Sequence, residues 1–244
     1  VKKETSMLSS ENARTQRSSE AKPRFVDQLA IFLHKYRIVL LVILIALVVF
    51  VLAYFGWTEW HKRTREKSTL MAERAQKLYE QWLEAGEDGS RESLQQELEQ
   101  LIEQIVKRYP RQYAAQRAGF IGANLAFENE QWQEAAEDYR TVARSFPKSY
   151  LAPLSLFNAA VAYEQADDLD QGITAYRDLS ERYPESFLVP HAMFAMGRLY
   201  ESSEDFQSAF QVYDRLEDEF PLSNWTKMGR NRIIALRVEG RIAE

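Results

Sequence analysis

The chain has 244 residues, 45% hydrophobic and 27% charged, with 9 Gly, 7 Pro and no Cys; this supports a buried core and long helices and sets aside a disordered or fibrous chain. The absence of Cys removes disulfides, thiolate zinc sites, cysteine nucleophiles and a lipid-anchored cysteine together. The net charge of −5 is unevenly spread, with 19 Lys/Arg against 30 Asp/Glu over residues 68–244, so that part has the wrong sign for a nucleic-acid duplex and no nucleic-acid partner is expected.

In chain order, residues 1–37 form an N-terminal tail, net positive, whose stretch from Val1 to Pro23 is polar and Ser-rich and is expected to be mobile. Val1 is consistent either with an unusual start codon or with removal of preceding residues. Residues 38–55 then run IVLLVILIALVVFVLAYF without a charge or a Pro. As a helix these residues rise about 27 Å, close to the hydrocarbon thickness of a bilayer. Tyr36 with Lys35 and Arg37 precedes them, and Tyr54, Trp57 and Trp60 with Lys62 and Arg63 follow, an aromatic and basic collar at each interface. The expectation is a retained single-pass transmembrane helix. A buried core helix and a cleaved signal, for which Val51-Leu52-Ala53 resembles a cleavage site, are the competing readings. Lys22, Arg24, Lys35 and Arg37 before the span are nearly balanced by Lys62, Arg63, Arg65, Lys67 and Arg74 after it, so charge leaves the orientation open.

Residues 56–108 are expected to form a linker helix and a degenerate first repeat. Met71, Ala75, Leu78, Tyr79 and Trp82, then Leu94, Leu98, Leu101, Ile102 and Ile105, mark two amphipathic helices joined by the turn AGEDGS. Residues 109–244 contain a repeat: YPRQYAAQ, FPKSYLAP, YPESFLVP and FPLSNWTK return every 37 residues from Tyr109. A period of this length is the mark of a stacked helical array. Within the three full units Phe120, Phe157 and Phe194 coincide, as do Ala123, Ala160 and Gly197, and Tyr139, Tyr176 and Tyr213. Trp132, Leu169 and Phe206 coincide ahead of Ala135, Gly172 and Ala209, and Val142, Leu179 and Leu216 coincide near the end.

Each unit is thus predicted as two helices around a polar turn. The small residue permits close approach of the two helices, and the Tyr fills the neighbouring space. Asp168 and Gln171 form a capping box, and the Pro stops the helix before it. Gly119, Gly122 and Ala126 break the pattern in the first unit, where bulkier residues are usual, and predict looser packing, since Gly within a helix costs about 1 kcal/mol relative to Ala. Trp225 to Val238 is expected to be a closing helix.

The units resemble tetratricopeptide repeats, on Gly197, Tyr200, Ala209, Tyr213 and Pro221 of the third unit, although they are longer than the usual repeat. The form with Tyr183-Pro184-Glu185-Ser186 ahead of the first helix resembles the periplasmic repeat proteins of outer-membrane assembly. A short tail, one span, Gly56-Trp57-x-x-Trp60 and a basic helix leading into repeats resembles the ancillary subunit of the bacterial SecYEG translocon. The fold implied is all-α: one N-terminal transmembrane helix followed by a helical-repeat superhelix. The resemblance implies an inner-membrane protein with a cytosolic tail and periplasmic repeats. Its function would be a membrane-anchored protein–protein interaction module, a chaperone-like or recruiting partner of secretion and envelope biogenesis, with translocon or envelope-assembly components as partners. A structural scaffold of a permanent outer-membrane, division or motility assembly is the alternative.

No catalytic signature is present, and an enzyme is not expected. The three His, at positions 34, 61 and 191, are far apart and give no metal site, the acidic turn residues Asp167, Asp168 and Asp170 lack the spacing of a calcium loop, and no cofactor motif occurs. Asn224-Trp225-Thr226 matches a glycosylation acceptor but reads better as a helix start. What remains is surface. By resemblance, the groove on the concave face would be lined by Arg117, Phe120, Asn124 and Phe127, then Leu154, Phe157, Val161 and Glu164, then His191, Phe194, Arg198 and Glu201. The Phe positions read equally well as core, and the sequence leaves the two readings open.

Overall fold

A computed structural model describes residues 25–86 and 89–243. The expectations for Val1 to Pro23 and for the centre of the AGEDGS turn lie outside the described residues. All regular structure among the described residues is helical: α1 (Phe25–Glu84), α2 (Gly89–Arg108), α3 (Tyr113–Glu128), α4 (Trp132–Ser145), α5 (Leu151–Gln165), α6 (Leu169–Arg182), α7 (Val189–Ser202), α8 (Phe206–Glu219) and α9 (Asn224–Val238). The chain divides into two compact units, Val1–Lys62 and Arg63–Glu244.

In the first unit, the most apolar stretch of α1 has a mean hydropathy of 3.4 and none of it is buried in protein. Ile38, Phe50 and Leu52 are all at least 66% exposed. A core helix would bury such side chains, and that reading is set aside. The helix is long and apolar enough to cross a membrane, the surroundings in which an apolar surface on every face costs nothing.

The second unit is built of helix pairs. The second helices α4, α6 and α8 begin at Trp132, Leu169 and Phe206 and end at Ser145, Arg182 and Glu219, so their ends keep the 37-residue period without slippage. Local chemistry explains each end. The residue before each Pro (Phe146, Tyr183 and Phe220) leaves the helical region, with φ between −129° and −134°, while its N–H still bonds to Val142, Leu179 or Leu216. Ser149, Ser186 and Ser223 then accept a hydrogen bond from the backbone N–H two residues on, at 2.9, 3.3 and 3.2 Å, and so start the next helix. This is the physical content of the aromatic-Pro-x-Ser motif. Where the first motif has Gln112 instead, its side chain accepts from Ser68 at 2.6 Å.

The turn inside each unit is equally regular. Glu130, Asp167 and Glu204, again 37 residues apart, take left-handed backbone with φ near 60°. Asp168 and Asp205 cap the following helix through the N–H of Gln171 and Ser208. Ser223 caps α9 in the same way, so Asn224-Trp225-Thr226 is a helix start, with Thr226 buried and bonded to the carbonyls of Leu216 and Phe220.

Three apolar clusters succeed one another along the array. The first joins Ala75, Leu78 and Trp82 of α1 to Leu98, Leu101 and Ile105 of α2 and to Ile121 of α3. The second centres on Tyr139, Tyr163 and Tyr176, and the third on Met193, Tyr213 and Leu236. Ala123 and Ala160 have no exposed surface, in keeping with their role as close-approach positions.

Candidate protein-binding face

The first helices of the units, α3, α5 and α7, carry the candidate site, and the second helices support it with a buried Tyr each. Tyr139, Tyr176 and Tyr213 are at most 3% exposed and lie under Phe120, Phe157 and Phe194, with ring centroids 5.5, 5.4 and 5.8 Å apart. Burial pushes all three phenols far above their ordinary pKa, which keeps each hydroxyl a donor. The donors are used: Tyr139 bonds to Asn124 at 2.5 Å, Tyr176 to Glu164 at 2.6 Å and Tyr213 to Glu201 at 2.6 Å.

Glu164 and Glu201 also tie each unit to the next element of the array. Glu164 accepts from Arg198 of the next unit at 3.0 Å, and Glu201 accepts from Arg232 of α9 at 3.0 and 3.1 Å. Burial alone would raise the Glu201 carboxyl, but hydrogen bonds from Arg232 and Tyr213 outweigh it and hold the group below the usual carboxylate range. One unit earlier the same two positions are Phe127 and Val161, so an apolar pair stands where the next junction has an ionic clasp.

Beside that pair opens a pocket of about 410 Å³, lined by Asn124, Phe127, Phe157, Val161, Asn158 and Tyr79 among others. It unites four of the residues expected for the groove. Burial and the nearby Glu128 raise the Tyr79 phenol to about 12. Arg198 and Glu201 instead line a polar pocket of about 450 Å³ with Arg232, Glu239 and Arg241. Glu164 is half-buried and lines neither pocket. Arg117 and Leu154 are half-buried and line neither pocket, and Phe120 packs over Tyr139.

For Phe194 the structure favours the core reading of the two that the sequence leaves open: it is only 6% exposed, with Trp225 of α9 standing over it at a centroid distance of 5.5 Å. His191 is sandwiched in the same stack, 3.8 Å from Trp225 and nearly parallel to it, and 4.7 Å from Phe157. Burial, and then the neighbouring Arg198, lower the His191 pKa and favour the neutral, stacking form. Tyr79, Trp225 and Arg232 were missed. Trp225 aligns with Leu151 and Leu188 and Arg232 with Asn158 and Ala195, so periodicity carried no signal for either.

Helix pairs with a small-residue contact, a buried Tyr and a Pro stop define a helical-repeat protein. The family described as tetratricopeptide repeat-like domain matches residues 36–228, and the chain belongs to it. The match includes the apolar stretch of α1 as well as the repeats. Domains of this kind are generally non-catalytic modules that bind other proteins. No curated protein matches the chain.

Proposed function

We propose that this chain is a membrane-anchored protein–protein interaction module whose repeats face the periplasm from the inner membrane, where it acts as a chaperone-like or recruiting partner of secretion. The pocket of Phe127, Phe157 and Val161 carries this reading: it leaves half-buried aromatic and aliphatic groups at the surface, beside Asn124, Asn158 and Glu128, where the next junction has an ionic clasp. Partly exposed aromatic groups in a pocket are the usual anchors of protein partners.

The test converts the pocket to the chemistry of the next junction. Phe127→Glu with Val161→Arg installs the pair that Glu164 and Arg198 make, and is expected to leave the fold within about 1 kcal/mol of wild type. Purification of the full chain in mild detergent, followed by mass spectrometry, should then show partners lost by about tenfold or more relative to wild type. Undiminished recovery would sink the assignment. Among wild-type partners, translocon subunits with varied clients support the secretion role, whereas a fixed set of envelope components supports a scaffold.

The orientation is tested separately. Protease added to spheroplasts is expected to remove the repeats and spare the tail; repeats that are cleaved only after lysis would place them on the other side.

A further inference from the structure

A second groove lies away from the pocket just described, between α2 and α4 over the surface of α3, and its origin is a missing side chain. At later junctions a Tyr from the first helix fills the space between successive second helices. Tyr163 is fully buried there and donates to Glu137 at 2.5 Å, with Arg140 beside it at 3.5 Å. Tyr200 accepts from Arg177 at 2.8 Å. One repeat earlier the Tyr position is Ala126 and the Arg position is Glu103; Gly122 stands where later units have Ala159 and Met196. A cavity of about 620 Å³ opens where these larger groups would be, over Ile102, Leu125 and Ala126.

The wall of the cavity has changed sign along with its shape. Glu99, Glu103, Glu134 and Asp138 line it, against Lys107 as the single cation among the lining residues. Partial desolvation first, and then the neighbouring Glu134 and Glu137, raise the Asp138 carboxyl above its ordinary value. Val106 at the rim is 42% exposed. The cavity therefore lacks two things that the other junctions hold together: an aromatic ring, and a guanidinium next to it.

We propose that this groove is a separate binding site for a partner segment that presents an aromatic side chain beside a basic one, which takes the places that Tyr163 and Arg140 occupy at the next junction. Charge complementarity selects this occupant over an acidic or purely apolar one. Aromatic and Arg side chains are also those that carry most binding energy when they seat in a pocket.

The full chain in nanodiscs is titrated with a fluorescent peptide of alternating lysine and tyrosine, with glutamate–tyrosine and lysine–alanine peptides as controls. Wild type is expected to prefer the lysine–tyrosine peptide. Ala126→Tyr with Glu103→Arg restores the pattern of the later junctions, and should weaken that peptide by about tenfold or more while the melting temperature holds or rises. Glu99→Lys with Glu134→Lys, which alters charge without touching packing, should weaken it too, and decides the matter alone if the first variant fails to fold. Equal binding of all three peptides, or undiminished binding by the charge variant, overturns the proposal. So does self-association of wild type that Ala126→Tyr abolishes, since the occupant would then be a second copy of the chain. Loss of the Phe127 and Val161 pocket leaves this result unchanged, so the two sites fail independently.

Discussion

Tyr176→Ala is expected to destabilise the repeat unit by about 3–5 kcal/mol, the range for removing a large aromatic from a packed core. The ring is 1% exposed and packs edge-on to Phe157, and its hydroxyl bonds to Glu164, which in turn holds Arg198 of the next unit. Its removal opens a cavity and slackens the junction together. Tyr176→Phe separates the two contributions: the ring stays, one hydrogen bond to a carboxylate is lost, and the cost should fall to about 1.5–3 kcal/mol. Denaturant unfolding of the full chain in detergent checks both. An Ala variant that unfolds with the wild-type midpoint would show that Tyr176 does not hold the middle unit together.

Gly197→Ala and Gly122→Ala should move stability in opposite directions, although both replace a helical Gly with a better helix former. A Cβ at Gly197 would stand 2.6 Å from Cζ of Tyr213 and closer still to its Cε1. That ring is 1% exposed and its hydroxyl is held by Glu201, so it has nowhere to move. Overpacking of this kind costs about 1–3 kcal/mol, more than the roughly 1 kcal/mol that the helix gains from Ala. At Gly122 the nearest atom to a new Cβ is Ile102 Cγ2 at 3.7 Å, an ordinary contact, and a gain of up to about 1 kcal/mol is expected. Thermal melts of the two single variants are enough. Equal shifts of the same sign would show that the tight contact at Gly197 is not what distinguishes them.

The clasp residues show why the candidate site was only half legible. Phe157, Val161, Glu164 and Arg198 stand at positions where the repeat resemblance puts groove contacts, and the structure does place Phe157 and Val161 in one pocket. Phe194 occupies the same repeat position as Phe157 but is buried, because the next element along the array is α9, with Trp225, and not another full unit. The identity of a neighbour across a junction, rather than the residue itself, decided whether an aromatic became surface or core.

The sequence by itself determined the helix pairs, their ends and the apolar span. Each of these depends on forces within a few residues: Pro ending a helix, Ser or Asp capping the next, Gly or Ala permitting close approach, and a long charge-free run that water disfavours. The tertiary structure alone decided the ionic clasps of Glu164 and Glu201 and the burial of Phe194, and it gave the looser packing expected at Gly122 and Ala126 the form of an open groove. These depend on side chains from different helix pairs meeting across a junction, where a single residue such as Arg232 or Trp225 changes the outcome and leaves no mark on the period.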